Sequence, residues 1–360
     1  MTPGDLRLAD YRPRSRLRVA THHVATPRFP AIDVHNHLGS AFGGEWTTRD
    51  PAELMAILDV AGVERIVDLD GGQGDALSRE IGRWQRRWPD RVSVFAGLDY
   101  DRWTSDPAFG DTEAAALRDS VARGARGLKV WKLLGLRARD VAGRLVPVDD
   151  ERLDPLWAAA ADLRVPVLIH IADPIAFFDP LDSTNERWEE LNDHPDWHFW
   201  PTNAGEADPG SAAEAFPPFD TLLAAFDRLI GRHPATIFIG AHVASASEDL
   251  ALVGRLLDTH ANLTVDIAAR LAELGRQPYT ARAFFERYAD RILFGIDMAP
   301  DPELYAIHYR WLETFDESFD YSTDDVPGQG RWQIHGIGLA DDVLRKVYRE
   351  NALRVLGSST

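Results

Sequence analysis

The chain has 360 residues, 45% of them hydrophobic, which is enough for one large domain or two ordinary ones. Its 57 acidic and 39 basic residues give a formal net charge of -18, which argues against nucleic acid and anionic membrane surfaces as partners. Because the sequence has no cysteine, it excludes disulfides, a thiolate nucleophile and thiolate-ligated metals. Any metal must therefore be held by nitrogen and oxygen ligands.

Residues 1–30 predict a polar lead-in rather than a secretory signal, because no apolar segment accompanies their arginines. No window of about 18 apolar residues is present to span a bilayer. We therefore expect a cytoplasmic protein, and a homodimer is the commonest state for soluble proteins. The arginines are Arg7, Arg12, Arg14, Arg16 and Arg18.

The first predicted strand covers residues 31–37 and carries two histidines near its end. Alternation along a strand places Asp33, His35 and His37 on the same face. Two imidazoles fixed on a rigid strand can supply half of a divalent-metal site. Such a pair also occurs in proteins that bind no metal there, so the assignment of a metal site depends on whether later strands end in further ligands.

Seven further apolar segments predict strands, and helical segments separate them. These strands cover residues 64–69, 91–98, 127–132, 165–170, 236–242, 262–267 and 291–297. The predicted helices cover 49–61, 75–88, 112–123, 150–163, 219–231, 250–260, 280–288 and 339–356. Eight strand–helix units predict an α/β protein with a (β/α)8 TIM barrel, and a doubly wound open sheet is the alternative. The barrel is favoured because polar residues recur at strand ends and no glycine-rich phosphate loop follows the first strand.

Two long segments interrupt this alternation. Residues 173–218 follow the fifth strand and far exceed the usual loop of about 2–6 residues, so they predict a lid. A second excursion covers residues 298–338, and we expect the whole chain, 1–360, to form a single domain around one site. Several tryptophans could either line a substrate pocket or anchor these loops. They are Trp131, Trp188, Trp197, Trp200 and Trp332.

Ligand-type residues recur at the ends of the predicted strands, on one rim of the barrel. Each histidine alone is more often a structural residue, but their repetition at the rim where barrel active sites lie favours a functional site. These residues are His35 and His37 on the first strand, Lys129 on the fourth, His170 on the fifth, His242 on the sixth and Asp297 on the eighth.

The chain resembles the amidohydrolase superfamily, and within it the amidohydrolase-related branch that includes aminocarboxymuconate semialdehyde decarboxylase. The resemblance covers nearly the whole chain and ends in what looks like the closing helix of that branch. It is carried by Ile-Asp-Val-His-Asn-His at 32–37, Val-Leu-Ile-His at 167–170, Ile-Gly-Ala-His at 239–242, Leu-Phe-Gly-Ile-Asp at 293–297 and Tyr-Arg-Glu-Asn-Ala at 348–352.

The resemblance implies that His35, His37, His170 and Asp297 bind one divalent metal, usually zinc, and that His242 lies beside the metal-bound water. Three imidazoles and one carboxylate leave room for that water, whose pKa falls toward about 7 on zinc. Asp297 could both bind the metal and take a proton from the water. His242 would act as general acid/base or electrostatic catalyst.

Alternation along the fourth strand points the side chain of Lys129 into the barrel, on the same face as Trp131. In some members of the superfamily a carboxylated lysine at this strand bridges to a second metal. The amine could instead bind a carboxylate substrate, or form a structural ion pair with Asp68 or Asp70. If the alternation of this strand is shifted by one residue, Lys132 points inward instead and becomes the candidate for these roles.

Arg270, just beyond the seventh strand, suits a carboxylate because its guanidinium is planar and forked, and a surface arginine at a helix start is the alternative.

The sequence favours a metal-dependent hydrolase acting on a small amide, ester or lactone. Non-oxidative decarboxylation of an aromatic or muconate-like acid is the alternative, because the branch contains both chemistries. A purely structural metal is disfavoured, since structural zinc sites usually use cysteine.

Overall fold

The structure is a computed structural model that describes residues 3–7, 11, 13–40, 44–200 and 216–357. In these residues eight short strands alternate with eight longer helices, and a last helical segment covers 341–356 with a π-helical turn at Lys346–Glu350. The strands are β1 (Ala31–Asn36), β2 (Val63–Asp68), β3 (Val92–Val94), β4 (Leu128–Val130), β5 (Val167–Ile169), β6 (Phe238–Gly240), β7 (Leu263–Asp266) and β8 (Ile292–Leu293). The helices are α1 (Pro51–Ala61), α2 (Gly74–Arg83), α3 (Phe109–Arg123), α4 (Asp154–Leu163), α5 (Phe219–Arg232), α6 (Leu250–Thr259), α7 (Pro278–Arg287) and α8 (Pro302–Glu313).

The strands close into a parallel barrel. One run of paired strands contains β1 to β3, and another contains β4 to β8. Between the runs, the backbone N–H of Lys129 donates to the carbonyl of Ala96 at 2.7 Å. On the other side, the N–H of Val34 donates to the carbonyl of Phe294 at 3.0 Å, which joins β1 to the end of β8. Because both edges are joined, the predicted (β/α)8 barrel is confirmed.

Apolar side chains from most strands fill the inside of the barrel. Side chains from strands on opposite sides of the barrel belong to one buried cluster, and such side chains can meet only inside the barrel. Ala352 and Val355 of the last helix pack against the same cluster. Asn351 of that helix donates to the carbonyls of Ala289 and Ile292, so the helix closes the N-terminal end of the barrel. The polar strand ends therefore lie at the opposite rim. The interior residues that lie in the strands or directly after them are Ile32, Val34, Val67, Leu69, Phe95, Leu168, Ile239 and Leu293.

The largest departure from the sequence prediction follows β8. Helix α8 occupies the first part of the predicted excursion 298–338, so the segment outside the barrel helices is shorter than the sequence predicts. The carboxylate of Asp301 accepts from N–H groups in the first turn of α8, and Tyr309 donates to the carbonyl of Ala61 at 2.9 Å, which fixes α8 against α1. A further short helix, Leu271–Arg276, precedes α7 where the sequence predicts none.

The segment after β5 is folded where the structure describes it. Residues 201–215 of the predicted insertion 173–218 lie outside the described residues. The earlier part contains a short helix, Trp188–Asp193. The N–H of Phe199 donates to the carbonyl of Phe177 at 2.8 Å, which folds the segment back on itself. Its action as a lid stays a prediction.

The lead-in before β1 contacts the segments beyond α8. The backbone N–H of His22 donates to the carboxylate of Asp316 at 2.7 Å, and Nη1 of Arg28 lies 2.5 Å from Oδ1 of Asp341. Within the ranges that the structure describes, no helix is both long and apolar enough to cross a bilayer.

Acidification is expected to destabilise the protein through His308 of α8. Its ring is buried near Phe294, its Nδ1 donates to the carbonyl of Leu304 at 2.8 Å, and burial lowers its pKa to about 4. An unfolded histidine titrates near 6.5, so the unfolded state takes up its proton first as the pH falls. The free energy of unfolding should fall by up to about 3 kcal/mol between pH 6.5 and pH 4. Denaturant titrations compare wild type with His308→Phe, and equal pH slopes in both proteins would contradict this.

Candidate active site

Two histidines at the end of β1 are oriented by carboxylates behind them. Nδ1 of His35 lies 2.9 Å from Oδ2 of Asp266, and Nδ1 of His37 lies 2.6 Å from Oδ1 of Asp70. These contacts direct both Nε2 atoms toward the carboxylate of Asp297. A carboxylate on the outer nitrogen fixes both the tautomer and the ring orientation, as it does in many metal sites.

Asp33 does not share the face of these histidines, so that part of the strand prediction is wrong. Its Oδ2 accepts from the hydroxyl of Tyr305 at 2.7 Å, and its Oδ1 accepts from the backbone N–H of His35 at 3.1 Å. The pairing of β1 with β2 is irregular between Asp33 and Asn36, which breaks the strict alternation of side chains. The carboxylate therefore fastens β1 to α8.

Asp297 is partly buried and faces three imidazoles. Nε2 of His37 is 3.4 Å from its Oδ1, and Nε2 of His35 and of His242 are 3.8 and 3.6 Å from its Oδ2. Oδ1 has no hydrogen-bond partner among the described residues, and burial raises the pKa of the carboxyl group. Donor atoms of His35, His37 and Asp297 all lie within 4.8 Å of one another. An orphaned carboxylate oxygen facing imidazole nitrogens fits a divalent cation, so these three residues form a candidate His-His-Asp metal site.

His170, the predicted third imidazole ligand, is held by the segment that follows β5. Its Nε2 lies 3.0 Å from the carbonyl of Ala172 and 3.3 Å from Oδ1 of Asp173, which also pairs with Lys132. Its ring packs against His242 with the centroids 4.4 Å apart. The structure thus brings together donor atoms of three of the four predicted ligands. Nδ1 is the nitrogen of His170 left for a metal, and this role stays a prediction.

Lys129 lies inside the barrel, as its parity predicts. Its Nζ is 3.2 Å from Nε2 of His35 and 4.9 Å from the ring centroid of Trp131, which in turn packs on His37. Burial lowers the pKa of the amine to about 8. Asp70, one alternative partner for this amine, holds His37. Substrate binding by Lys129 and Trp131 stays a prediction, as does carboxylation of Lys129 to bind a second metal.

A cavity of about 170 Å³ opens beside Asp297 and His242. Arg270 lies in its wall and is 5% exposed, so the surface-arginine alternative is wrong. Within the described residues its guanidinium donates to one backbone carbonyl, at 2.8 Å, and forms no ion pair. Phe177 and Trp197 give the same cavity an aromatic lining. A buried guanidinium beside aromatic rings suits a small planar carboxylate.

A comparison with protein-family models identifies the family. The model described as amidohydrolase matches residues 32–358, which is nearly the whole chain. The chain belongs to the amidohydrolase family. This confirms the resemblance drawn from the strand-end motifs. Among curated proteins, no sequence matches the chain significantly.

Solved structures with the same fold cover 91% of this amidohydrolase-family chain. A 2,6-dihydroxybenzoate decarboxylase in complex with 2,6-dihydroxybenzoate is 16% identical, with a TM-score of 0.56 and 99% of its own chain covered. A dihydroxybenzoic acid decarboxylase from a Polaromonas species, with bound manganese and 2-nitroresorcinol, is 14% identical, with a TM-score of 0.54 and 97% covered. An uncharacterised TIM-barrel protein from Bordetella bronchiseptica is 15% identical, with a TM-score of 0.55 and 98% covered. At these identities the likeness establishes the fold.

Three carboxylates that orient the site's histidines received no such role from the sequence. Asp266 and Asp70 hold the two histidines of β1, and Asp173 holds His170. Each lies at a strand end or within four residues beyond it. Polar residues at or just after the carboxyl ends of barrel strands are candidates for the active site, and applying this rule to aspartates as well as histidines would have selected these three carboxylates.

Adding Mn²⁺ or Zn²⁺ to chelator-treated protein is expected to raise its unfolding temperature by several degrees. A ligand that binds only the folded state at 100 times its Kd stabilises that state by about 2.7 kcal/mol. Thermal unfolding with and without metal measures the shift, and the double variant His35→Gln/His37→Gln is expected to abolish it. An equal shift in that variant would show that the metal binds elsewhere.

Proposed function

We propose that this protein is a metal-dependent, non-oxidative decarboxylase of a small aromatic carboxylic acid. His35, His37 and Asp297 would hold one divalent metal, with His170 as a fourth ligand. Arg270 would bind the substrate's anionic group, and Asp297 and His242 would carry the proton. Hydrolysis of an amide, ester or lactone, which the sequence favours, is the competing reaction at the same residues.

Arg270 carries this proposal. Its guanidinium is buried in the wall of the cavity that Asp297 and His242 also line, and within the described residues it forms no direct ion pair, although the carboxylates of Asp173, Glu190 and Glu248 act on it from a longer distance. Lys132, the other cation of this cavity, is already paired with Asp173. Burying an unpaired cation is unfavourable unless a ligand supplies the opposite charge. A carboxylate substrate meets that need, whereas a neutral lactone or amide does not.

The reaction requires a proton at the carbon that loses the carboxyl group. The carbon–carboxylate bond breaks, its electron pair stays on the ring carbon, and a proton takes the place of the released carbon dioxide. Nδ1 of His242 donates to the carbonyl of Ala268 at 2.8 Å, which leaves Nε2 facing Oδ2 of Asp297. The facing pair of Asp297 and His242 would deliver this proton, with Asp297 as the proposed donor. A bound divalent metal would add positive charge that polarises a substrate oxygen.

The solved structures of similar fold support this choice of reaction. Two of them are decarboxylases of dihydroxybenzoic acids, and one of these contains manganese. Nitrogen and oxygen donors suit both manganese and the zinc that the family resemblance implies, so Mn²⁺ and Zn²⁺ are the two metals to test. We propose one metal per chain, with a second only if Lys129 is carboxylated. The homodimer and the cytoplasmic location stay predictions.

A substrate panel separates the two reactions. Protein loaded with Mn²⁺ or Zn²⁺ is incubated with hydroxybenzoates and other aryl acids, and in parallel with lactones, esters and amides. We expect carbon dioxide release from at least one aryl acid, and no release of acid or amine from the neutral compounds. Turnover of a lactone or amide without any release of carbon dioxide from the acids would establish hydrolysis instead.

A further inference from the structure

Asp266, the last residue of β7, contacts two histidines of the site at once. Its side chain is fully buried, and its Oδ2 lies 2.9 Å from Nδ1 of His35. Its Oδ1 accepts from the backbone N–H of His242 at 2.9 Å and from that of Ala268 at 3.1 Å. One carboxylate therefore joins β7 to the end of β1 and to the end of β6.

Donor atoms of Asp266, His35 and His242 also lie within 4.8 Å of one another, which raises the alternative of a second metal site. The hydrogen bonds argue against it. Both oxygens of Asp266 already accept, and the nitrogen of His35 on this side is the partner of that carboxylate. Asp297, by contrast, keeps an oxygen without a hydrogen-bond partner among the described residues. Asp266 therefore serves to orient the histidines rather than to bind a cation.

His242 needs such support because it begins an unfavourable backbone segment. Four consecutive non-glycine residues, His242 to Ser245, have φ between 53° and 59° in the left-handed region. Side chains with a Cβ atom disfavour this conformation, so it persists where neighbouring groups hold it. Here the N–H of His242 is held by Asp266, and its Nδ1 by the carbonyl of Ala268. The end of β7 thus fixes both the backbone and the ring of His242.

We infer that Asp266 is a positioning residue that orients His35 for the metal and His242 for proton transfer. This inference rests on the proposed function, since it assigns those two roles to the histidines. Removing the carboxylate would free the tautomer of His35 and release the backbone of His242. Metal binding and the proton step should therefore weaken together.

The first test measures Mn²⁺ binding and steady-state kinetics on Asp266→Asn. Calorimetry with Mn²⁺ alone is expected to show a 10- to 100-fold rise in Kd, the usual effect of losing a carboxylate behind a ligating histidine. The kcat at saturating Mn²⁺ should also fall at least 10-fold, because His242 is still misplaced when the metal is bound. Wild-type values for Kd or for kcat would overturn the inference.

A double-mutant cycle shows whether Asp266 acts through His242. In a His242→Gln background, Asp266→Asn should lower kcat by less than about 3-fold while still weakening Mn²⁺ binding 10-fold or more. A loss of kcat as large as in the wild-type background would overturn the link to His242. Asp316→Asn is the matched control, because Asp316 is a buried carboxylate that contacts His22 and Arg310 away from the site. It should leave both the Kd and kcat unchanged.

If Asp266→Asn does not fold, Asp266→Glu takes its place with the same measurements. It keeps the charge but moves the carboxylate, so Kd for Mn²⁺ should still rise and kcat should still fall. Wild-type values for both would overturn the inference. Failure of the proposed function is seen separately: wild-type protein would bind Mn²⁺ without releasing carbon dioxide from any aryl acid, while the binding measurements would still test the contact with His35.

Discussion

Replacing Asp297 with asparagine is expected to lower kcat on the order of 10³-fold or more. Asp297 is one of the three residues of the candidate His-His-Asp site, where it would bind the metal as a carboxylate, and in its protonated form it is also the proposed proton donor. General acid catalysis alone contributes about 10² to 10⁴-fold, and loss of the metal's charge adds to that effect. Kinetics at saturating Mn²⁺, together with metal analysis of the purified variant, measure both contributions.

The fold should survive this substitution. Burial raises the pKa of Asp297, so its charged form at neutral pH is unfavourable in the folded chain without metal. The metal-free variant is therefore expected to unfold at a temperature no lower than wild type. Asp301→Asn is the matched control, because asparagine caps the start of α8 as well as aspartate does. Near-normal turnover by Asp297→Asn would remove Asp297 from the proposed mechanism.

Arg270→Met is expected to lower kcat/KM for aryl carboxylates about 100-fold. Methionine is similar in length to the aliphatic part of arginine, and the substitution removes the buried guanidinium that would face the substrate's anionic group. Losing one partner of a buried charge pair costs about 2–5 kcal/mol, which corresponds to a loss of about 30- to 5,000-fold and includes the expected effect. Arg270→Lys should restore only part of the loss, because an ammonium group lacks the fork that binds two carboxylate oxygens.

Competitive inhibitors distinguish recognition of charge from general damage to the cavity. A carboxylate inhibitor should bind Arg270→Met much more weakly, whereas its neutral amide should bind wild type and variant alike. Arg276→Met is the control, since that guanidinium pairs with Glu186 and stacks on Trp332. Equal loss of affinity for the charged and neutral inhibitors would contradict the role of Arg270 as the carboxylate receptor.

The sequence predicts the barrel and the rim of its site because both depend on local patterns. Each short apolar strand, with the ligand-type residue at its end, can be predicted from its own segment of sequence. These residues are His35, His37, His242 and Asp297, and parallel strands bring their ends to one rim. The inward parity of Lys129 follows from the same alternation, and the structure confirms it.

The remaining details depend on contacts between distant segments. The position of Asp33 follows from an irregular pairing of β1 with β2, which no pattern within β1 reveals. The orientation of His170 depends on the path of the chain at Ala172 and Asp173. The left-handed turn at His242 is stabilised by Asp266, 24 residues away along the chain. Such tertiary contacts override local preference and become visible when the barrel is assembled.

The most direct test of the central claim follows the carboxyl carbon and the incoming proton together. An aryl acid labelled with ¹³C in its carboxyl group is incubated in D₂O with the metal-loaded protein and, in parallel, with Asp297→Asn. Decarboxylation predicts one labelled carbon dioxide per substrate consumed by wild type, one deuterium at the ring carbon that lost the carboxyl group, and almost no product from the variant. Consumption of substrate with the label retained in the product, or turnover only of lactones and amides, would contradict the claim.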